Sequence, residues 1–322
     1  MRVAVLSGGR SSEHEISLES GASVAEGLRE AGHEVVPVLL ERDGRWTHDG
    51  AEVELRAGGG LLGVEVAFPV LHGPFGEDGT VQGLLECLDV AYAGPGVLAA
   101  AISIDKLTFK KLLSFHGIPQ VDFCEAGEDG WREHVAAMGL PVWVKPARLG
   151  SSVGITKVSS TERALDEAVE LARAHDPRVI VEADGGGREV ECSVIGNEEP
   201  RTSSPGEIDA HADWYDYEAK YSDGGMDLIV PARIGDGANE RVRELAARVF
   251  KAIDGSGLAR CDFFVLEDGE VLVNELNTIP GFTSTSVFAK LFEADGISYP
   301  ELCDLLVNYA VARYEAQRGY RF

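Results

Sequence analysis

Short apolar runs alternate with helix-length stretches through the first hundred residues, and that rhythm leaves few folds open. Val3 to Leu6 reads as a buried strand. Ile16 to Ala31 carries apolar residues at helical spacing and stops at Gly32, while Glu34 to Leu40 and Val64 to Val70 read as further strands. Strands separated by helices pair in parallel, with the helices covering the sheet. Such sheets hold ligands at the carboxyl ends of their strands. The loops there, Ser7-Gly8-Gly9-Arg10-Ser11-Ser12-Glu13-His14-Glu15 and Leu71-His72-Gly73-Pro74-Phe75-Gly76-Glu77-Asp78-Gly79, are rich in glycine and hydrogen-bonding groups.

A chain of 322 residues exceeds one core of usual size, and three units are expected, 1–96, 97–183 and 184–322. The second holds a helix around Lys106 to His116, a strand at Pro141 to Pro146, a helix at Thr161 to Ala174 and a strand at Val179 to Glu182. The third holds a strand at Glu189 to Ile195, a polar loop at Trp214 to Gly225 and a helix at Asn239 to Ile253. It ends in paired strands, Arg260 to Glu267 and Glu270 to Asn277, and closing helices. The charge narrows the partners. With 29 Lys and Arg against 54 Asp and Glu, a net −25 repels a nucleic-acid backbone. A single nucleotide held by a few lysines and a metal ion remains compatible. Five scattered cysteines without a CxxC pair suit free thiols in a reducing cytoplasm, and no apolar run reaches the length of a membrane span.

The closing strand pair carries the sharpest local chemistry. Asp268-Gly269 suits a two-residue turn, which sets Glu267 opposite Glu270, Asp262 opposite Glu275 and Arg260 opposite Asn277. The last four then share one side of the ribbon, because side chains alternate with period two. Facing carboxylates repel unless something positive lies between them. A hard divalent cation is one answer, with Asn277 adding an oxygen; a solvent-facing hairpin on which the charges cost little is the other. Lys145, near the end of the strand Pro141 to Pro146, either snorkels to solvent or meets an anion, and Gly150-Ser151-Ser152-Val153-Gly154 beside it can wrap phosphate oxygens. Ser12-Glu13-His14-Glu15 fits a capping box with Ser12 as cap and Glu15 reaching back. Glu13 then either complements the helix dipole or binds an ammonium group. Gly58-Gly59-Gly60-Leu61-Leu62-Gly63 matches a dinucleotide fingerprint in letters only, since it precedes a strand, and reads as a loop.

Taken in order, these segments resemble the D-alanine–D-alanine ligases of the ATP-grasp superfamily over nearly the whole chain. The resemblance rests on Gly8 to Ser17, His72 to Gly79, Asp105-Lys106, Val144-Lys145-Pro146 with Gly150 to Gly154, Tyr215 to Tyr221 and Glu275 to Gly281. It implies a small parallel α/β domain followed by a two-lobed α+β ATP-grasp fold that clamps ATP. It also implies an acyl phosphate made from one D-alanine and ATP, captured by the amine of a second D-alanine for peptidoglycan synthesis. Asp262, Glu275 and Asn277 correspond to ligands of two magnesium or manganese ions, and Lys106 and Lys145 to the lysines on the α- and β-phosphates. Lys220 corresponds to the lysine on the transferred phosphoryl group. Arg260 and the Gly281 amide correspond to the oxyanion partners, Glu13 and His72 to the first alanine's site, and Ser286 to the second alanine's carboxylate. Ser151 and Tyr221 match a latch on Glu13. The family also suggests a homodimer.

Glu182 matches the acid beside adenine and Glu189 the ribose acid, but Ala183-Asp184-Gly185 replaces the bulky apolar pair usual there, so a looser or differently built base pocket is expected. The intact Glu218-Ala219-Lys220-Tyr221 points to an amide product. Rival readings are a ligase for D-lactate or L-amino acids and a non-catalytic nucleotide sensor.

Overall fold

The computed structural model describes residues 1–150, 153–210 and 226–321. Its first part is a six-stranded sheet built from β1 (Arg2–Gly8), β2 (Glu34–Leu40), β3 (Trp46–His48), β4 (Ala51–Glu52), β5 (Val66–Pro69) and β6 (Ala91–Tyr92). The strand order is β4-β3-β2-β1-β5-β6. β1 pairs in parallel with β2 and β5, and β5 with β6, as the alternation requires. β3 and β4 extend one edge in antiparallel fashion and are too short to leave a periodic signal. Helices α1 (His14–Glu30) and α2 (Thr80–Leu88) follow β1 and β5. Central β1 is buried on both faces, hence its unbroken apolar run.

Helices α3 (Val97–Ile104) and α4 (Lys106–Phe115) lead into a four-stranded antiparallel sheet of β7 (Phe123–Glu125), β8 (Val142–Pro146), β9 (Thr156–Val158) and β10 (Val179–Ala183), ordered β7-β10-β8-β9. Asp105 caps α4 by accepting the Thr108 N–H. Helices α5 (Trp131–Met138) and α6 (Glu162–Arg173) cover this sheet; α6 presents Leu165, Ala168, Val169 and Ala172, one helical stripe.

The third sheet comprises β11 (Arg188–Gly196), β12 (Arg201–Thr202), β13 (Gly206–Ala210), β14 (Met226–Ile229), β15 (Gly257–Val265) and β16 (Val271–Asn277), ordered β14-β13-β11-β15-β16 with β12 beside β11. Helix α7 (Asp236–Ala252) buries Val242, Leu245, Ala246 and Val249 against it. Helices α8 (Val287–Ala294) and α9 (Tyr299–Arg318) bridge this sheet to another, with Val287 and Leu291 packing on Ile208 of β13. The other is the first sheet, where Phe282, Phe288, Phe292, Leu302 and Leu306 share a core with Val3, Val5, Leu28 and Phe68. The end of the chain is thereby locked to its beginning. Among the described residues no helix is long and apolar enough to cross a membrane.

Candidate active site

The three sheets face a cleft of about 1020 Å³. Glu13 enters it from the loop after β1 and is 9% exposed. The expected capping box is not formed. Glu13 itself stands at the N-cap of α1 without a side-chain cap, and Glu15 pairs at 2.8 Å with Arg42 on the surface. The loop is tied down by Ser11 instead, whose hydroxyl accepts the Glu13 N–H and donates to the His72 carbonyl at 2.7 Å. A capping box would have turned Glu15 back over the helix end; tying the loop at Ser11 leaves it free to meet Arg42. Gly73 (φ +71°) passes so close that a Cβ on it would lie 2.8 Å from the Glu13 Oε2.

His72 is buried beside Glu13. Its Nδ1 donates to the Ile279 carbonyl at 3.1 Å and its Nε2 lies 3.3 Å from the Ser20 hydroxyl. Burial pulls the imidazole towards neutrality, but the Glu77 carboxylate and, behind it, Glu13 outweigh burial and hold it above its usual range.

The lysines come from α4 and from the second sheet. Lys106, at the first position of α4, donates to the Leu149 carbonyl at 2.7 Å. Burial lowers it below the ordinary lysine range, with the Lys145 charge adding to the effect. Lys145, on β8, is held above that range despite its burial, because Glu182 lies 2.6 Å away. The snorkelling alternative is therefore not adopted. Glu182 is 2% exposed and meets a second cation, Lys110, at 2.8 Å. Burial pushes this carboxylate up, yet Lys110 and Lys145 pull it down to about 2.

The third sheet supplies the acid pair. Asp262 stands opposite Glu275 and Arg260 opposite Asn277, as the hairpin predicts, but for a different reason. The turn has three residues rather than two: Leu266 and Glu270 close it by a backbone hydrogen bond and Gly269 adopts φ +88°. Glu267 therefore does not face Glu270. That offset is cancelled further on, where Asn274 is the extra residue of a bulge between Val273 and Glu275. Next to Asp262 on the other flank stands Glu191 of β11. Arg260 lies between these acids, 2.8 Å from Glu191 and 2.7 Å from Asp262, and Asn277 donates its amide to Asp262 at 2.9 Å. Burial opposes the guanidinium charge, but Asp262 and Glu191 hold its pKa well above the usual value. The repulsion between the acids is thus relieved by Arg260 and does not by itself require a metal. The donor set still fits a hard divalent cation, since Asp262, Glu275 and the Asn277 side-chain carbonyl are all oxygen ligands on adjacent strands. Among the described residues, no three His, Cys, Asp or Glu side chains make such a site without the asparagine.

Gly281 and Ser286 line the same cleft, with the Ser286 hydroxyl donating to the Thr283 carbonyl at 2.9 Å. Glu189 lines it from the exposed start of β11. Around Ala183-Asp184-Gly185 the pocket is differently built rather than loose. The Phe264 ring lies directly over Gly185, where a Cβ would come within 2.1 Å of it. Asp184 accepts from the Trp143 indole at 3.0 Å and pairs with Lys157 at 3.1 Å. The volume a bulky residue would fill is taken by an aromatic ring from another strand. Ser151, Lys220 and Tyr221, with the whole polar loop Trp214 to Gly225, lie outside the described residues.

Sequence reasoning missed Lys110, Glu191, Glu77 and Ser20. Lys110 follows Lys106 by one helical turn and Glu191 follows Glu189 by one strand period, so spacing alone could have flagged both.

Family models for the D-ala D-ala ligase N-terminus match residues 2–60 and 58–95, and that for the D-ala D-ala ligase C-terminus matches residues 112–308. A D-alanine–D-alanine ligase of Deinococcus radiodurans is 46% identical over 96% of this chain and 98% of its own. Two solved structures superpose closely, both with the ATP-grasp architecture. The VanG D-Ala:D-Ser ligase from Enterococcus faecalis gives a TM-score of 0.86 at 34% identity, covering 96% of this chain and 99% of that one. The D-alanine-D-alanine ligase from Coxiella burnetii gives 0.85 at 32%, covering 99% and 97%. With the family's models matched in both halves and a relative this similar along nearly its full length, the chain belongs to the D-alanine–D-alanine ligase family.

Proposed function

We propose that this protein joins two D-alanines at the expense of ATP, forming D-alanyl-D-alanine for peptidoglycan synthesis in the cytoplasm, as a homodimer. The observation that carries the reading is convergence within one cleft of a chain of this family. Glu13 comes from the loop after β1, Lys106 from α4, Lys145 from the second sheet, and Arg260 and Glu275 from the third.

Glu13, a buried carboxyl group, binds the ammonium of the first D-alanine, with His72 beside it. That substrate's carboxylate oxygen attacks the γ-phosphorus of ATP as the bond to the ADP oxygen breaks, giving an acyl phosphate and ADP. Lys106 and Lys145 hold the α- and β-phosphates, Lys220 the transferred group, and Glu189 the ribose. Phosphoryl transfer asks mainly for alignment and charge neutralisation, which these cations supply. Asp262, Glu275 and Asn277 would hold two magnesium or manganese ions, which when bound add Lewis-acid neutralisation of the phosphate oxygens. Ser286 places the second D-alanine by its carboxylate. Its amine nitrogen, having lost a proton, attacks the acyl carbon; Arg260 and the Gly281 amide stabilise the oxyanion, and inorganic phosphate leaves. Ser151 and Tyr221 hydrogen-bond with Glu13 and latch the Tyr221 loop over the acyl phosphate, keeping water away.

The test is phosphate release on adding ATP, magnesium and D-alanine, with mass spectrometry of products when D-alanine, D-serine, D-lactate and L-alanine are offered together. D-alanyl-D-alanine as main product is expected. No D-alanine-dependent phosphate release refutes the ligase reading, and a mixed product overturns its substrate assignment. Lys220→Ala should nearly abolish turnover in a folded protein.

A further inference from the structure

Among the described residues, Lys110 is the most deeply buried cation near the cleft, at 1% exposure, yet it does not line it. α4 places it one turn after Lys106, with its ammonium 5.8 Å from the centre of the Phe123 ring and 2.8 Å from the Glu182 Oε1. The other carboxylate oxygen, Oε2, meets Lys145 at 2.6 Å. One buried acid is thus shared by two lysines, of which Lys145 faces the cleft and Lys110 the interior. The Lys110 contact is ionic rather than a well-angled hydrogen bond, so it rests on charge more than direction.

An acid at 2% exposure cannot stand ionised without a cation beside it. A phosphate gripped by Lys145 competes with Glu182 for that one positive charge. Were Lys145 the sole partner, every nucleotide bound through it would leave a buried carboxylate sharing its one counter-charge with phosphate. With Lys110 behind, Glu182 keeps one counter-charge throughout. We infer that Lys110 is a positioning residue for nucleotide binding, compensating Glu182 so that Lys145 can pass from that acid to the incoming phosphates. The inference rests on the reading of Lys145 as a phosphate ligand.

Calorimetric binding of ATP and of inorganic tripolyphosphate to the full-length protein tests it. Lys110→Met should weaken ATP binding roughly tenfold or more while the KM for D-alanine stays put. Lys110→Arg should bind within a few fold of wild type, because it keeps the charge. Lys110→Met combined with Glu182→Gln should regain tripolyphosphate affinity over Lys110→Met alone, since no acid then holds Lys145. If Lys110→Met does not fold, Glu182→Gln alone decides: it should bind tripolyphosphate more tightly than wild type. Wild-type ATP affinity in Lys110→Met, or no gain on adding Glu182→Gln, overturns the inference. Wild-type protein that binds no ATP refutes the ligase reading itself, and Lys145→Met with unchanged affinity refutes the phosphate assignment on which the inference stands.

Discussion

Gly73→Ala isolates what the position of Glu13 is worth. The substitution does two things. It puts a side chain at φ +71°, a left-handed conformation that disfavours alanine by about 1 kcal/mol. It also sets a methyl 2.8 Å from the Glu13 Oε2, where ordinary contact begins at 3.4 Å, so the carboxylate must yield by the difference, 0.6 Å. Misplacing a binding group by about 1 Å lowers rates roughly a hundredfold, so this shift should lower kcat/KM for the first D-alanine about tenfold, or about 1.4 kcal/mol. Gly58→Ala is the matched control: its φ is +68° and a Cβ there meets nothing within 4 Å. Both variants should lose a few degrees of Tm at most, but only Gly73→Ala should lose affinity for D-alanine, with the KM for ATP unmoved in either. Steady-state ADP release at varied D-alanine reads the difference. Equal D-alanine kinetics in the two variants would refute the placement of the substrate ammonium on Glu13.

Three further outcomes follow from packing and charge. Phe282, 1% exposed, has ring centroids 5.8 Å from Phe68, 5.3 Å from Phe288 and 5.4 Å from Tyr299, so Phe282→Ala should destabilise by about 3–5 kcal/mol in urea unfolding; a loss under about 1 kcal/mol would mean the carboxy-terminal helices are not locked to the first sheet. Glu207 is held by hydrogen bonds from Arg233 and then Arg188, which against burial pull its carboxyl from 4.5 to about 2. A depressed folded value stabilises above pH 4.5 and is lost as pH falls towards 2, by no more than about 3 kcal/mol, so Glu207→Gln should flatten that part of the acid-stability curve; an unaltered curve counts against it. Gly185→Leu should strike Phe264 and raise the KM for ATP without touching that for D-alanine, and Phe264→Ala in the same chain should recover part of the loss; no change in ATP kinetics would place the base elsewhere.

Much of this molecule can be read from local pattern. The alternation around Val3, Ile16 and Glu34 reports which faces are apolar, and that suffices for a parallel sheet and for the loops at its carboxyl edge, where Glu13 and His72 stand. Lys145 beside a glycine-serine loop and the alternation on the final strand pair are equally local. Other features depend on which segments meet. Lys110 is an ordinary helical lysine until β10 brings Glu182 to it, and Arg260 becomes the charge between the acids only when β11 adds Glu191. The strand register at Asp262 and Glu275 was legible although the turn was not, because a three-residue turn and a one-residue bulge offset each other. Side-chain periodicity records a segment's own faces and nothing of its neighbours. The carboxy-terminal helices against the first sheet, the Phe264 ring over Gly185 and the two lysines sharing Glu182 were therefore decided by tertiary packing alone, since each joins residues that no local spacing connects.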